Sequence, residues 1–131
     1  MKMRKFYMNK LWRDQASLFK KDDGSIIHLQ ILNDAEYNNE LGLKLIEEAT
    51  EVHMAQSPDE LMDELGDVLE VIDCIVKFHK LSKDEILNRQ QKKREDRGSY
   101  EERKFVSTAE FAPDSYGEKY CLKDPERYPE I

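Results

Sequence analysis

The sequence predicts an all-α protein whose helices form an antiparallel bundle, and we expect dimerisation to complete that bundle. Apolar residues recur every three or four positions along two segments, and each segment begins with a helix-capping pattern. The chain has 131 residues, the length of one domain, and 37% of them are charged. The apolar residues must therefore be gathered on a few helix faces.

A short strand is predicted first, because the sequence Ile-His-Leu-Gln-Ile at residues 27–31 alternates apolar and polar side chains. Asn33 or Asp34 is predicted to cap the first helix, and Glu36, three positions after Asn33, is in capping-box position. The second follows the Ser-Pro-Asp-Glu sequence of residues 57–60, which places serine as the cap and proline at the first helical position. The apolar stripe of the first helix comprises Leu41, Leu45, Ala49 and Val52. That of the second comprises Leu61, Leu65, Val68, Leu69, Ile72, Ile75, Val76 and His79.

A third helix is predicted from the Ser-Lys-Asp-Glu sequence of residues 82–85, and Gly98 suits its end. It carries few apolar residues and becomes strongly basic towards its end. From Ser107 onward the chain has three prolines and no clear period, which predicts an irregular extension. We therefore divide the chain into a helical domain, residues 1–106, and a C-terminal extension, residues 107–131.

The charges are unevenly distributed along the chain. The net charge is −7, but residues 34–73 alone carry −12, whereas residues 1–33 and 77–104 each carry +4. The net negative charge argues against a general nucleic-acid binder. So concentrated an acidic region should repel itself, and we expect the basic flanks, a partner or bound cations to compensate it.

Four acidic residues of the two long helices are predicted to converge. Glu48 and Glu51 lie one turn apart on one helix, and Glu64 and Asp67 do so on the next. The short connection makes the helices antiparallel neighbours, so the two pairs face each other. Hard divalent cations, which take oxygen ligands, would relieve the repulsion. Gly66 is expected to allow the helices a close approach.

The alternative is that these acids form a solvated helix face. Such a face usually interleaves Lys or Arg at four-residue spacing, and residues 34–73 contain one lysine, Lys44. A di-iron carboxylate bundle is disfavoured, because no histidine stands three positions after a glutamate.

The pattern Glu47-Glu48-x-x-Glu51, followed after twelve residues by Glu64-x-x-Asp67, resembles the EExxE…ExxD signature of the all-α NTP pyrophosphatases. That superfamily includes MazG-like proteins, helical dUTPases and phosphoribosyl-ATP pyrophosphohydrolase. The sequence Asn-Lys-Leu-Trp-Arg-Asp at residues 9–14 resembles the KLVRD segment of the predicted house-cleaning branch. Residues 93–106 are similar to the closing basic stretch of that branch.

The resemblance implies hydrolysis of a nucleoside triphosphate to the monophosphate and pyrophosphate, dependent on Mg²⁺, with Mn²⁺ as a substitute. It implies a metal site formed by Glu48, Glu51, Glu64 and Asp67, with Glu47 as a further catalytic acid. Basic residues suit phosphate binding, and the candidates are Lys10, Arg13, Lys44, Arg94 and Arg97.

Two other functions stay open at this point. The chain could be a non-catalytic nucleotide-binding or regulatory module, or, within the enzyme class, a phosphoribosyl-ATP pyrophosphohydrolase. We expect a homo-oligomer, either a dimer or a dimer of dimers, and no nucleic-acid or membrane partner. The two cysteines fit neither a zinc site nor a disulfide framework, so we expect a cytoplasmic location.

Overall fold

A computed structural model describes residues 2–16, 19 and 23–131, and the only regular secondary structure in these residues is helical. The all-α prediction is therefore confirmed. None of the described helices combines the length and the apolar character needed to cross a membrane. The helices are α1 (Asp34–Met54), α2 (Pro58–Phe78), α3 (Lys83–Arg97) and α4 (Tyr116–Leu122).

The two long helices begin where their capping patterns predict. The side chain of Asn33 accepts a hydrogen bond of 2.9 Å from the backbone N–H of Glu36, and the Glu36 carboxylate accepts one of 3.1 Å from the N–H of Asn33. Ser57 Oγ accepts from the backbone N–H of Glu60 at 3.2 Å, with Pro58 at the first helical position. Both caps satisfy backbone donors that a helix start leaves unpaired.

Helices α1 and α2 pack against each other as an antiparallel hairpin. The Tyr37 ring, at the start of α1, meets the Phe78 ring, at the end of α2, with centroids 5.3 Å apart. Among the described residues, the only buried apolar side chains are Leu41 of α1 and Val71 of α2. Two helices thus cover each other along one narrow seam, and the bundle stays a prediction.

The predicted apolar stripe of α2 is only partly covered. Val68 and Ile75 are half-buried, but Leu65 and Leu69 are exposed, because the stripe is wider than the face that a single helix can cover. The close approach expected at Gly66 is not seen between α1 and α2: among the described residues, nothing lies within 4 Å of a Cβ built there.

The predicted strand at residues 27–31 is not seen. Leu29 and Ile31 are exposed, and no strand is present among the described residues to pair with this segment. Alternation alone does not make a strand, because a single extended segment leaves its backbone groups without a sheet partner.

The described residues divide into two compact units, residues 1–88 and 89–131. The predicted division at residue 106 stays a prediction. Helix α3 begins where Ser82 Oγ accepts from the Glu85 N–H, at 3.2 Å, and ends before Gly98, whose φ is +77°. Both boundaries agree with the predicted ones.

The C-terminal extension is more ordered than its prolines suggest. Helix α4 begins at a cap in which Ser115 Oγ accepts from the Glu118 N–H, at 3.2 Å. A Cβ at position 117 would collide with the ring of Phe111, so glycine is needed there. The prediction of an irregular segment is therefore wrong for α4, and the Ser-x-x-Glu spacing of residues 115–118 was the signal that indicated it.

Candidate metal centre

The structure brings together the four acids that the sequence pairs. Glu48 and Glu51 project from α1, and Glu64 and Asp67 project from α2. One carboxylate oxygen of each lies within 4.8 Å of those of the other three. The arrangement follows from the three-residue spacing on each helix and from the antiparallel packing of the hairpin. Such a cluster could hold a metal ion.

Two buried carboxylate oxygens distinguish this cluster from a fully solvated acidic face. Glu48 is only 6% exposed, and its Oε2 atom is buried without a hydrogen-bond partner. The Oε2 atom of Glu64 is likewise buried and unpartnered. Burying a carboxylate oxygen without a hydrogen-bond donor is unfavourable, because the oxygen loses its hydrogen bonds to water and forms none with the protein. An oxygen-seeking cation fits these atoms.

The electrostatics of the cluster agree with its geometry. Burial, followed by the nearby carboxylate of Glu51, raises the pKa of Glu48 above its ordinary value. Close contact with the side chain of Glu64, followed by burial, raises the pKa of Glu51. Two carboxyl groups in contact can form a hydrogen bond only when one of them holds a proton. The cluster therefore attracts positive charge, either protons or a metal ion.

Glu47 lies outside this group of four and has a different role in the structure. It accepts hydrogen bonds from Lys10 Nζ at 3.0 Å and from Lys44 Nζ at 3.1 Å. Burial would raise the pKa of Glu47, but these two lysines outweigh burial and lower it. Lys44 also lies 3.5 Å from Glu48 Oε1. Glu47 thus holds two predicted phosphate-binding lysines at the edge of the cluster.

Arg13 contacts the cluster directly. Its Nη2 atom donates a hydrogen bond of 2.6 Å to Asp67 Oδ1, and this contact is the main reason that the pKa of Arg13 is raised. Of the five predicted phosphate contacts, Arg13 and Lys44 thus contact members of the group of four, and Lys10 contacts the neighbouring Glu47. The other two, Arg94 and Arg97, belong to the unit of residues 89–131, and their role stays a prediction.

The charge pattern predicted that basic flanks could compensate the acidic region, but it did not indicate which basic residue pairs with which acid. The contacts of Lys44 were accessible to sequence analysis, because Glu47 and Glu48 follow that lysine at three- and four-residue spacing. No local sequence pattern indicated the Arg13–Asp67 contact, since it joins positions 54 residues apart.

No protein-family model, curated protein or solved structure matches the chain. The case for its function therefore depends on the sequence motifs and on the geometry of the site.

Proposed function

We propose that the protein is a Mg²⁺-dependent nucleoside triphosphate pyrophosphohydrolase of the all-α NTP pyrophosphatase superfamily, acting in the clearance of non-canonical nucleotides. Water would add at the α-phosphorus, the bond from that phosphorus to the oxygen that it shares with the β-phosphorus would break, and monophosphate, pyrophosphate and a proton would be released. The observation that carries the proposal is the buried, unpartnered oxygen of Glu48 within a group of four carboxylates.

The donor set suits Mg²⁺, with Mn²⁺ as a substitute. Both take carboxylate oxygens, and Mg²⁺ in proteins commonly shares its shell with substrate phosphates. When bound, the ion supplies Lewis acidity and neutralises charge on phosphate oxygens. Glu48, Glu51, Glu64 and Asp67 would hold it, because they alone among the described residues form such a group.

The basic residues next to the cluster support a phosphorylated substrate. Lys10 and Lys44 both contact Glu47, which directly precedes Glu48 in α1, so both ammonium groups lie next to the acidic group. A triphosphate reaching the cluster would meet them there, and ammonium groups bind phosphate oxygens well. Glu47 acts in this proposal as the residue that positions the two lysines.

A second copy of the chain is the proposed partner. Leu61, Met62, Leu65 and Leu69 form an exposed apolar ridge on α2, and the hairpin buries only two apolar side chains among the described residues. A C₂ dimer would bury this ridge against its own equivalent. We expect a mass of twice 15.5 kDa by light scattering. Leu69→Asp should give monomers, Met3→Asp should not, and a monomeric wild type would contradict the dimer.

The activity is tested by incubating the protein with Mg²⁺ and a panel of standard and modified nucleoside triphosphates. Pyrophosphate and monophosphate are measured together. We expect equal amounts of both, and we expect Glu64→Gln to reduce the rate at least about 100-fold, because a metal ligand is lost. Asp63→Asn is the matched control: it removes one exposed negative charge from the same helix and should retain activity.

Other outcomes would favour the alternatives. Nucleotide and Mg²⁺ binding without turnover of any triphosphate would indicate a binding or regulatory module. Turnover restricted to phosphoribosyl-ATP would indicate that narrower enzyme. Activity that survives EDTA would contradict the metal centre itself.

A further inference from the structure

One contact of the candidate metal centre places a cationic side chain on a predicted metal ligand. Arg13 donates to Asp67 Oδ1, and Asp67 is one of the four clustered carboxylates. The pair is accessible to solvent, since the side chains are 64% and 36% exposed. Lys44, which also contacts one of the four carboxylates, lies on α1 together with that residue, Glu48. Arg13 therefore provides a charged link between the N-terminal segment and the metal centre.

We propose that Arg13 is an exchangeable counter-charge of this site. In the metal-free protein it pairs with Asp67; a divalent cation that binds the four carboxylates displaces it and leaves its guanidinium free for an anionic ligand. This inference rests on the metal centre of the proposed function but does not require hydrolysis.

Charge and exposure both support the exchange. A carboxylate oxygen that ligates a divalent cation has less electron density to offer a guanidinium, and the two positive charges repel each other. Exposed ion pairs contribute little to stability, so the Arg13–Asp67 contact is one that a cation can break. A buried pair would resist exchange, because separation would leave a desolvated charge without a partner.

Lys10 limits how far the segment moves. Its ammonium group binds Glu47, which lies outside the four clustered carboxylates, so this anchor is not in competition with the cation. The exchange should therefore change the surroundings of Trp12 and Arg13, while Lys10 keeps the N-terminal segment bound to Glu47. Trp12 is the only tryptophan of the chain and stands next to Arg13, with its ring centroid 4.7 Å from that of Phe19. Its emission is a natural reporter of the exchange.

The test is a titration of the metal-free protein with Mg²⁺ alone, followed by calorimetry and by Trp12 fluorescence. The wild type should bind with a saturable change in emission. Arg13→Gln should bind Mg²⁺ about two- to five-fold more tightly, the range expected for loss of an exposed competing pair, and should show little change in emission. Lys5→Gln is the matched control, because it removes the same charge from an exposed position that has no ion pair among the described residues.

Asp67→Asn provides a second reading that needs no metal. It releases Arg13, so its metal-free emission should resemble that of the Mg²⁺-loaded wild type, whereas Asp63→Asn should resemble the metal-free wild type. Equal Mg²⁺ affinity in the wild type and Arg13→Gln, or emission of the wild type that stays constant while calorimetry detects binding, would overturn the exchange.

The outcomes separate this inference from the hydrolysis. Mg²⁺ binding with the expected emission changes, but without nucleotide turnover, would support the exchange and contradict the proposed enzyme. Absence of Mg²⁺ binding in the wild type would overturn both.

Discussion

The two ends of the α1–α2 hairpin use the same pair of helices to bring very different side chains together. At one end, the rings of Tyr37 and Phe78 meet edge to face, and the Phe78 ring also lies against His79. His79 Nε2 and Asn38 Oδ1 are 2.7 Å apart, within hydrogen-bond distance. Burial raises the pKa of Tyr37. This end combines apolar contact with polar groups that have partners.

The other end holds the four carboxylates, with unpartnered oxygens on Glu48 and Glu64. Packing of the helices there places like charges together, which costs stability in the absence of a cation. Residues that break the local rules of packing in this way are typical of functional sites. The comparison indicates that the aromatic end stabilises the hairpin and that the acidic end is kept for a ligand.

The largest expected effect on stability comes from the aromatic end. Phe78→Ala should lower the free energy of unfolding by about 2 kcal/mol, because it removes a half-buried ring and its two edge-to-face contacts. Urea unfolding in EDTA measures this change. The matched control, Phe105→Ala, removes a ring that is 92% exposed and should have little effect. Equal losses in the two variants would contradict the role of the aromatic end.

At the acidic end, we expect a substitution to increase the free energy of unfolding. Glu48→Gln should raise the free energy of unfolding of the metal-free protein by about 1 kcal/mol, because a buried charge becomes a neutral amide. The same variant should weaken Mg²⁺ binding at least about ten-fold, because it loses a ligand. Thermal unfolding and calorimetry measure the two effects. A Glu48→Gln protein that is less stable than Asp63→Asn would show that Glu48 has a structural role.

The metal-free protein should also lose stability as the pH rises from about 4.5 to 7. The pKa values of Glu48 and Glu51 are raised above 4.5 in the folded state, so in this range the folded protein binds more protons than the unfolded chain. Their favourable contribution is complete below 4.5 and disappears as the pH passes through the raised values. Glu47, whose pKa is lowered, affects the pH dependence of stability only below pH 4.5, where its contribution to stability rises with pH.

We expect the melting temperature in EDTA to fall by a few degrees over this range, which differential scanning fluorimetry can measure. Glu48→Gln should reduce the slope, and saturating Mg²⁺ should remove it. A melting temperature that rises steadily between pH 4.5 and 7 would contradict this account of the acidic end.

The smallest expected effect on stability concerns Gly66, which lies in α2 between Glu64 and Asp67. Gly66→Ala should stabilise the protein by about 0.5–1 kcal/mol, because alanine favours helix and nothing in the described residues occupies the space of its Cβ. Chemical unfolding would detect the gain. A loss instead would show that a second copy packs closely against Gly66.

The sequence by itself determined where most helices begin. The caps at Asn33, Ser57 and Ser82 are contacts between residues three positions apart, so the local sequence contains all that they require. The pairing of Glu48 with Glu51, and of Glu64 with Asp67, follows from helical periodicity in the same way. Helix α4 had the same kind of signal in its Ser-x-x-Glu spacing, which the surrounding prolines obscured.

Only the tertiary structure decided which side chains are covered and which charges meet. Periodicity placed Leu69 and Val68 on one stripe of α2, but the position of α1 decides that Val68 is half-buried and Leu69 exposed. Residues 27–31 alternate as a strand would, and the lack of a partner strand among the described residues leaves them irregular. Arg13 reaches Asp67 across 54 positions of sequence. Burial and long-range pairing depend on what packs against a residue from elsewhere in the chain, and local sequence does not contain that information.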